Sequence, residues 1–372
     1  MTVKAEKYIE LLETAYCGEK LSLRQIESLL TPPDAGCEQK LFDTALKLKR
    51  ELFGNLVNLR GLIEFSNICT RDCFYCGIRR SNAKVSRYTM SEDEIVCSAA
   101  LASEFGYGAV VLQSGEREDP AFTRQVTRLI EKINALPNPP AITLSCGEQS
   151  LQTYREWAAA GAKRYLLRIE SSSPEIFSAI HPAESTLASR KAALRRIRKA
   201  GFQTGTGVMI GLPGQTLHHL AKDIKFFRDA DVDMIGMGPF LPQSDTPMGD
   251  APDDPETVKC RFSRALRMIA VTRLVLRDVN IASTTALQAL DPENGREKGV
   301  LAGANVIMPN VGNVNYRRDY QLYNGKPALD ENGENIRRQL LESLQKIGEL
   351  PRWDSSGDPP HFVKRSAGAG KV

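Results

Sequence analysis

The chain reads LRGLIEFSNICTRDCFYCGIRRSN at residues 59–82, where a short β-favouring run leads directly into a loop with three cysteines. Similar short runs follow at intervals of roughly 30–40 residues, and a helical pattern comes after each of them. Alternating strand and helix patterns of this kind are typical of βα units, so residues 59–65 are expected to form the first strand of a parallel sheet.

The pattern predicts eight strands, and eight parallel strands joined by right-handed helical crossovers close into a barrel. We therefore predict an α/β fold, a (β/α)8 TIM-type barrel, with a doubly wound open sheet as the alternative. The predicted strands are Leu59–Phe65, Ala109–Gln113, Ala141–Leu144, Arg164–Arg168, Gln203–Met209, Met234–Gly238, Asn280–Ser283 and Asn305–Met308.

The chain divides into three predicted units around this barrel. Residues 1–54 carry amphipathic helical patterns and are expected to form an N-terminal helical cap. Residues 55–325 form the predicted barrel, and residues 326–372 a C-terminal helix followed by a short irregular tail after Pro351. Chemistry in such a barrel belongs at the C-terminal ends of the strands.

Composition excludes several classes of protein. With 372 residues, 42% of them apolar and 25% charged, the chain is neither disordered nor fibrous. The 49 basic and 45 acidic side chains leave a net charge of +4 without a long basic run, so no nucleic-acid partner is expected. No run of about 18 apolar residues and no secretory signal pattern is present, so we expect a cytoplasmic protein with no membrane partner.

Three of the eight cysteines are closely spaced, and in a reducing compartment they are expected to be thiols or metal ligands. Cys69, Cys73 and Cys76 form a Cys-x3-Cys-x2-Cys pattern in the loop after the first strand. A tetrahedral zinc site needs a fourth nearby Cys or His, and none is close in sequence. Three thiolates suit a [4Fe–4S] cube with one iron left open; zinc or incidental cysteines are the alternatives.

The pattern Cys-x3-Cys-x-aromatic-Cys after the first strand of a βα series resembles the radical S-adenosylmethionine (SAM) superfamily. The resemblance implies one [4Fe–4S] cluster per chain, with Cys69, Cys73 and Cys76 as its metal-binding and catalytic residues. It also implies SAM as a cofactor, chelated through its amino and carboxylate groups by the open iron. One electron then breaks a C–S bond, giving methionine and a 5′-deoxyadenosyl radical.

Further loops at strand ends fit a SAM site. Residues 113–116 resemble the Gly-Gly-Glu element of the superfamily, whose backbone receives the SAM ammonium, and residues 207–214 resemble its glycine-rich adenine element. Charged side chains at strand ends fit a ligand with an α-amino acid and a sulfonium. The predicted cofactor-binding residues are Tyr75, Gln113, Ser114, Gly115, Glu116, Ser145, Arg168, Glu170, Arg190 and Met209.

Other readings of these residues stay open. Arg168 and Glu170 also suit an ion pair that closes the barrel mouth, and Tyr75 suits simple packing. Residues 211–214 suit a turn into a helix. Arg190 also suits a solvated position in a basic helix, at residues 190–199.

Longer strings resemble one branch of the superfamily, the [FeFe]-hydrogenase maturase HydE, over about residues 40–325. Among them are Ile63–Asn67, Cys76–Asn82, Leu112–Glu116, Gly303–Asn310 and Tyr320–Tyr323. The resemblance implies a role in assembling the 2Fe subcluster of the hydrogenase, on a small-molecule or iron-synthon substrate. That synthon would be a cysteine-bound iron carbonyl cyanide, delivered by a partner maturase, and an electron donor would be a second partner.

The same resemblance implies substrate-binding roles for Thr284, Thr285 and Asn310, which follow the seventh and eighth predicted strands. As caps of the next helix they would look the same in sequence. The chain departs from the branch in having Arg168-Ile169-Glu170 where Arg-His-Glu is expected. It also has no cysteine after Cys260, so an accessory cluster in the C-terminal region cannot form by that route.

Three other functions remain as alternatives. A radical SAM amino-acid mutase of the methylornithine synthase type would turn over a free amino acid, and a biotin-synthase-like enzyme is a more distant relative. A non-catalytic iron–sulfur carrier is a different class of protein. The glycine-rich loop and the charged strand ends argue against a carrier, because a carrier needs no nucleotide pocket.

Overall fold

The computed structural model describes residues 2–369. The strands within this range are β1 (Leu56–Ser66), β2 (Ala109–Ser114), β3 (Ala141–Ser145), β4 (Arg164–Leu166), β5 (Gln203–Thr206), β6 (Met209–Ile210), β7 (Met234–Ile235), β8 (Gly238–Pro239), β9 (Asn280–Ser283), β10 (Val306–Ile307) and β11 (Leu350–Arg352).

The helices alternate with the strands after an N-terminal helical segment. They are α1 (Val3–Tyr16), α2 (Leu23–Leu29), α3 (Ala35–Phe53), α4 (Glu92–Glu104), α5 (Pro120–Asn134), α6 (Leu151–Ala159), α7 (Pro174–Ile180), α8 (Leu187–Lys199), α9 (Leu217–Asp229), α10 (Pro255–Leu276), α11 (Thr285–Leu290), α12 (Gly295–Leu301), α13 (Gly333–Lys346) and α14 (Pro360–Ala369), with a 3-10 helix at Val314–Asp319.

Eight parallel strands form the closed barrel that the sequence predicts. β1 to β5, β7, β9 and β10 pair in chain order, and β10 returns to pair with β1, where Asn58 lies opposite Val306. The two-residue strands β6 and β8 pair with each other just beyond β5 and β7. Each of the eight predicted strands overlaps one barrel strand, so the barrel is confirmed and the open sheet is wrong.

Local sequence signals explain where the helices begin. Ser91 and Glu94 form a reciprocal capping box at the start of α4, which satisfies two backbone N–H groups that the helix itself cannot pair. At α10 the Asp254 carboxylate accepts N–H bonds from Glu256 and Thr257, and Pro255 occupies the first turn. Within residues 2–369 no helix has both the length and the apolar content needed to cross a membrane.

The three N-terminal helices pack on the outside of the helical layer, with α3 against α10 and α2 against α9. Arg267 of α10 donates to the Glu38 carboxylate of α3 at 2.6 Å. Arg228 of α9 donates to the Leu21 carbonyl, just before α2, at 2.8 Å. These helices therefore thicken one side of the barrel wall.

The C-terminal segment differs from the irregular tail that was expected. β11 pairs in parallel with β1, and the Gly357 carbonyl then accepts hydrogen bonds from Asn280 (2.7 Å) and Arg60 (3.3 Å) inside the barrel. Asp358 pairs with Arg164 before the chain forms α14. These bonds join residues far apart in sequence, so periodicity could not reveal them. Residues 370–372 of the predicted irregular tail lie outside the described range.

Candidate active site

A cavity of about 350 Å³ lies among the C-terminal ends of the barrel strands. All sixteen residues predicted for the site line this cavity, although they come from seven loops and strand ends and from helix α8, which carries Arg190. They are Cys69, Cys73, Tyr75, Cys76, Gln113, Ser114, Gly115, Glu116, Ser145, Arg168, Glu170, Arg190, Met209, Thr284, Thr285 and Asn310. The structure therefore shows that they are neighbours, while their roles remain predictions.

The three cysteine thiols are partly buried beside one another. Burial raises the pKa of the Cys73 thiol to about 12, and it also raises the pKa values of Cys69 and Cys76. The neighbouring sulfurs add to the shift at Cys76 by charge repulsion. The Cys69 sulfur accepts backbone N–H bonds from Arg71 (3.4 Å) and Glu116 (3.3 Å). Three thiolates this close need a positively charged group to stabilise them.

The donor set fits an iron–sulfur cluster better than a single metal ion. In residues 2–369 no group of three or more His, Cys, Asp and Glu side chains is arranged to hold one ion. A cluster that gives each thiolate its own iron does not require the sulfurs to converge on a point. Cys69, Cys73 and Cys76 therefore suit a [4Fe–4S] cluster, and the zinc alternative loses support.

Side-chain bonds to the backbone fix the shape of the cysteine loop. The Arg87 guanidinium donates to the carbonyls of Asn67 (2.8 Å), Ile78 (2.8 Å) and Arg79 (2.6 Å). Asn82 donates to the Gly77 carbonyl at 2.7 Å. The residues after the last cysteine thus hold the loop that presents the thiols.

Two glycines let neighbouring loops approach the thiols closely. A Cβ on Gly115 would overlap the backbone of Ile68, and a Cβ on Gly147 would overlap the Glu116 side chain. Gly147 also has a φ of +76°, which favours glycine. Glu116 is consequently packed into the wall, where it pairs with Arg71. Burial raises the pKa of Glu116, although Arg190 and Arg71 oppose the shift.

Arg190 is buried and holds two neighbouring loops together. Its Nε donates to Glu148 at 2.7 Å, and its Nη1 donates to the Arg168 carbonyl at 2.7 Å. Burial opposes ionisation of Glu148, but Arg190 and the Ser189 hydroxyl outweigh it and lower the pKa of this carboxyl. The solvated-arginine reading is therefore wrong. Glu148 was not among the predicted site residues, although its place after the third strand was a usable signal.

Glu170 has a strained backbone conformation. Its φ is +62°, and the Ser171 N–H bonds to the Ile169 carbonyl at 2.8 Å, so Glu170 is the central residue of a γ-turn. A non-glycine residue in this region costs about 1–3 kcal/mol and is found where the surroundings enforce it. The turn directs the buried Glu170 carboxylate to the cavity, where it lies 3.0 Å from Arg168.

Ile169 lies on the other face of the same strand end. Its side chain is fully buried in the hydrophobic core and does not line the cavity. The isoleucine that replaces the expected histidine therefore changes the packing behind the site and leaves the cavity wall as it is.

An apolar wall borders the cavity near the thiols. Tyr75 and Met209 line the cavity and pack with a small cluster that includes Ile180 and Phe240. The Tyr75 ring meets His181 edge to face, with ring centroids 5.5 Å apart. Tyr75 therefore has a packing role and also presents an aromatic surface to the cavity.

The opposite side of the cavity is polar. Asn310 donates to the Glu64 carboxylate at 2.9 Å, and the hydroxyls of Thr285 and Tyr323 lie 2.8 Å apart. Thr284 precedes α11 but makes no side-chain capping bond there. The capping alternative therefore fails for Thr284, whose hydroxyl donates to the Met237 carbonyl at 3.3 Å.

A buried ion pair adjoins Asn310 on this polar side. Lys326 donates to both oxygens of Glu64 at 2.6 Å and to the Tyr320 carbonyl at 2.8 Å. Both charged side chains line the cavity and are more than nine-tenths buried. Sequence reasoning missed this pair because its partners lie 262 residues apart.

A barrel with a three-thiol loop after its first strand is the arrangement on which the resemblance to radical SAM enzymes rests. Residues 63–227 match the family model of the Radical SAM superfamily. The chain belongs to the radical SAM superfamily. Within it, the chain is 39% identical over 345 residues to the [FeFe] hydrogenase maturase subunit HydE of Thermotoga maritima, which covers 91% of this chain and 96% of that protein. It is an enzyme of this hydrogenase maturase type. The carrier alternative is thereby wrong.

Other relatives share the fold across most of the chain. The 3-methylornithine synthase of Methanosarcina acetivorans is 26% identical over 343 residues, 90% of this chain and 91% of that protein. The X-ray structure of the maturase HydG from Carboxydothermus hydrogenoformans superposes with a TM-score of 0.79 at 22% identity. That likeness covers 97% of this chain and 81% of the HydG chain, and it shows the fold. Membership of the superfamily implies a [4Fe–4S] cluster and SAM.

Proposed function

We propose that this enzyme cleaves SAM reductively at a [4Fe–4S] cluster held by Cys69, Cys73 and Cys76, and that it acts in assembly of the [FeFe]-hydrogenase 2Fe subcluster. The observation that carries the proposal is the single cavity that joins the three thiols to every predicted SAM-binding residue. When bound, the cluster supplies the electron that breaks a C–S bond of SAM.

The residues around the thiols provide complementary groups for each part of SAM. Backbone carbonyls at Gln113 to Gly115 accept the ammonium, and the buried Arg190 guanidinium attracts the carboxylate. Glu170, held beside Arg168, orients the ribose and the positively charged sulfonium side of the ligand. The apolar wall at Tyr75 and Met209 receives the adenine.

The polar side of the cavity binds the substrate, which we propose to be a cysteine-bound iron carbonyl cyanide synthon. Thr284, Thr285 and Asn310 supply hydroxyl and amide groups for its polar ligands. The Glu64–Lys326 pair offers a cation for the cysteine carboxylate and an anion for its ammonium. A buried ion pair adds little to stability on balance, so its position in the cavity wall supports a binding role.

Enclosure by protein protects the chemistry that follows SAM cleavage. A carbon radical abstracts hydrogen from most nearby groups, so water and loose side chains must be kept away. The Arg87-bound cysteine loop and the Lys326-bound segment at residues 320–326 border the cavity from two sides. A partner maturase would deliver the synthon, and an electron donor would reduce the cluster.

The SAM-cleavage step is tested with protein reconstituted anaerobically with iron and sulfide, then given SAM and dithionite. Single replacements C69S, C73S and C76S are each expected to abolish release of 5′-deoxyadenosine. The matched control is C97S, which changes an exposed cysteine of α4 and should leave the rate unchanged. Normal 5′-deoxyadenosine release in all three cavity variants would contradict the proposal.

The choice of substrate is tested separately, by supplying candidate substrates to the same reconstituted enzyme. The synthon should be consumed in a SAM-dependent reaction, whereas free L-lysine and dethiobiotin should be recovered unchanged. Rearrangement of lysine would instead establish an amino-acid mutase of the methylornithine synthase type, and conversion of dethiobiotin a biotin-synthase-like enzyme.

A further inference from the structure

A fully buried carboxylate lies directly behind the γ-turn at Glu170. Asp223 belongs to α9, and its Oδ1 accepts the Ser172 N–H at 2.6 Å. Its second oxygen, Oδ2, is buried and has no hydrogen-bond partner within the described chain. Asp223 does not line the cavity, so it has no place among the residues assigned to SAM.

The γ-turn needs external support because its central residue is strained. Glu170 is bonded on both sides to the neighbouring strand end, through its N–H to the Gly207 carbonyl (3.0 Å) and its carbonyl to the Met209 N–H (3.1 Å). The exit of the turn is anchored at Ser172 by Asp223. This last anchor is a carboxylate bonded to a backbone N–H, the strongest type among these contacts.

We propose that Asp223 is a positioning residue that acts through the Ser172 backbone to hold the Glu170 carboxylate in its SAM-binding orientation. The inference rests on the SAM-binding role proposed for Glu170. With the anchor weakened, the strain at Glu170 relaxes and its carboxylate leaves the cavity wall.

The protonation state of Asp223 then affects the site. Burial raises the pKa of Asp223 to about 7, against the opposing effects of the Ser172 bonds and Lys191. Lys191 is the charged group that acts on Asp223 from neighbouring α8, and its Nζ lies 3.5 Å from the Ser172 carbonyl. The loop at residues 171–173 contributes only serines. Above its pKa Asp223 is ionised and accepts the Ser172 N–H strongly, and below it the bond weakens.

The proposal is tested by calorimetric titration of SAM into the reconstituted enzyme without a reductant, so that SAM binds but is not cleaved. Wild-type affinity is expected to fall by about tenfold from pH 8 to pH 6, the scale of one lost charge-assisted hydrogen bond. D223N should bind weakly at both pH values, with little pH dependence. Wild-type affinity in D223N, or an unchanged pH dependence, would overturn the proposal.

Asp233 offers a control. It is also a fully buried carboxylate that accepts a backbone N–H, from Thr204 at 2.8 Å, and it too has one oxygen without a hydrogen-bond partner. Unlike Asp223, it also pairs with an arginine, Arg365, at 2.6 Å. It precedes β7, away from the cavity lining. D233N is expected to keep both the wild-type SAM affinity and its pH dependence. Loss of both in D233N would show a general effect of removing a buried carboxylate and would overturn the specific role of Asp223.

Whether Asp223 acts through Glu170 is tested by combining D223N with E170Q. In E170Q, the further change D223N should leave SAM affinity unchanged, and the pH dependence should already be absent. An equal loss on adding D223N to either background would overturn the proposal. If D223N does not fold, the pH dependence of SAM affinity in E170Q alone tests the proposal: its absence supports the proposal, and a wild-type pH dependence overturns it. No SAM binding by the wild type at any pH would instead contradict the proposed function.

Discussion

At the scale of single residues, the cavity depends on backbone conformations that most side chains avoid. Gly147 and Glu170 both have positive φ, one on a glycine that admits Glu116 and one on a carboxylate that faces the cavity. Gly147 is required for two reasons: its positive φ disfavours a residue with a Cβ, and the Glu116 side chain leaves no room for one. The thiol side of the cavity is therefore intolerant of small changes.

The substitution G147A is expected to lower the free energy of unfolding by about 2–4 kcal/mol, because backbone strain and overlap with Glu116 add together. The control is G201A, where φ is +94° but nothing lies within 4 Å of the added Cβ. That variant should lose only about 1 kcal/mol. Urea unfolding of the metal-free protein measures both values, and equal losses would show that the space beside Glu116 is unimportant.

At the scale of elements, the cysteine loop owes its shape to an arginine. Arg87 donates to five backbone carbonyls of the loop, three of them at 2.8 Å or less. Such carbonyls are costly to leave unpaired, so the loop and its arginine form one unit. The arrangement presents the thiols before any metal binds.

The substitution R87M is expected to remove about 3 kcal/mol of local stability from the cysteine loop, at about 1 kcal/mol for each of the three short bonds, and to lower the iron content after reconstitution. Hydrogen exchange of residues 67–89 measures the first effect and iron analysis the second. The neighbouring exposed Arg80, whose nearest carboxylate is Glu184 at 3.9 Å, provides the control R80M. Full iron loading in R87M would contradict this role.

The attachment of α14 is expected to depend on pH. His361 lies 2.7 Å from Asp231 and 3.3 Å from Asp278, and these carboxylates raise its pKa above the ordinary value of 6.5. The folded state therefore favours the protonated ring, and this stabilisation is complete below pH 6.5 and is lost as pH rises through the folded pKa. The urea midpoint should fall over that interval, and H361Q should flatten the change. An identical slope in H361Q would exclude His361 as the source.

Sequence reasoning predicted the elements and the loop chemistry because both leave local signals. Strand runs, capping residues and the cysteine spacing are all readable within a few residues of sequence. The Glu64–Lys326 pair, the Asp223 anchor and the pairing of Asp358 with Arg164 join segments far apart in the chain. Such contacts depend on tertiary packing, which no local pattern specifies. The bond between Arg190 and Glu148 is a further example, because the sequence around Arg190 shows only a uniformly basic helix.

At the scale of the whole molecule, the two ends of the barrel have different roles. The C-terminal ends of the strands surround the cavity, whereas the opposite end receives residues 356–358 from the C-terminal segment. Arg60 and Arg164 are both fully buried at that end, and Asp358 is the carboxylate that acts on them. The stability of the barrel is therefore linked to the C-terminal segment.

The substitution D358N is expected to lower the free energy of unfolding by about 3 kcal/mol, because it leaves the buried arginines without their carboxylate. This value is at the lower end of the range for breaking a buried ion pair, since the Asp358 side chain is 36% exposed. The control D229N removes an exposed carboxylate that pairs with Lys225, and should change stability by less than about 0.5 kcal/mol. Thermal or urea unfolding compares the two. A loss in D358N no greater than in D229N would show that the arginines need no partner.

The positive φ at Glu170 has a consequence for anyone who engineers this enzyme for robustness. Glycine is at ease in that backbone region, so a search guided by melting temperature alone would favour E170G. The resulting protein would withstand heat better while losing an acidic side chain from the pocket. Selection for thermal endurance thus favours glycine at position 170, whereas selection for turnover favours glutamate.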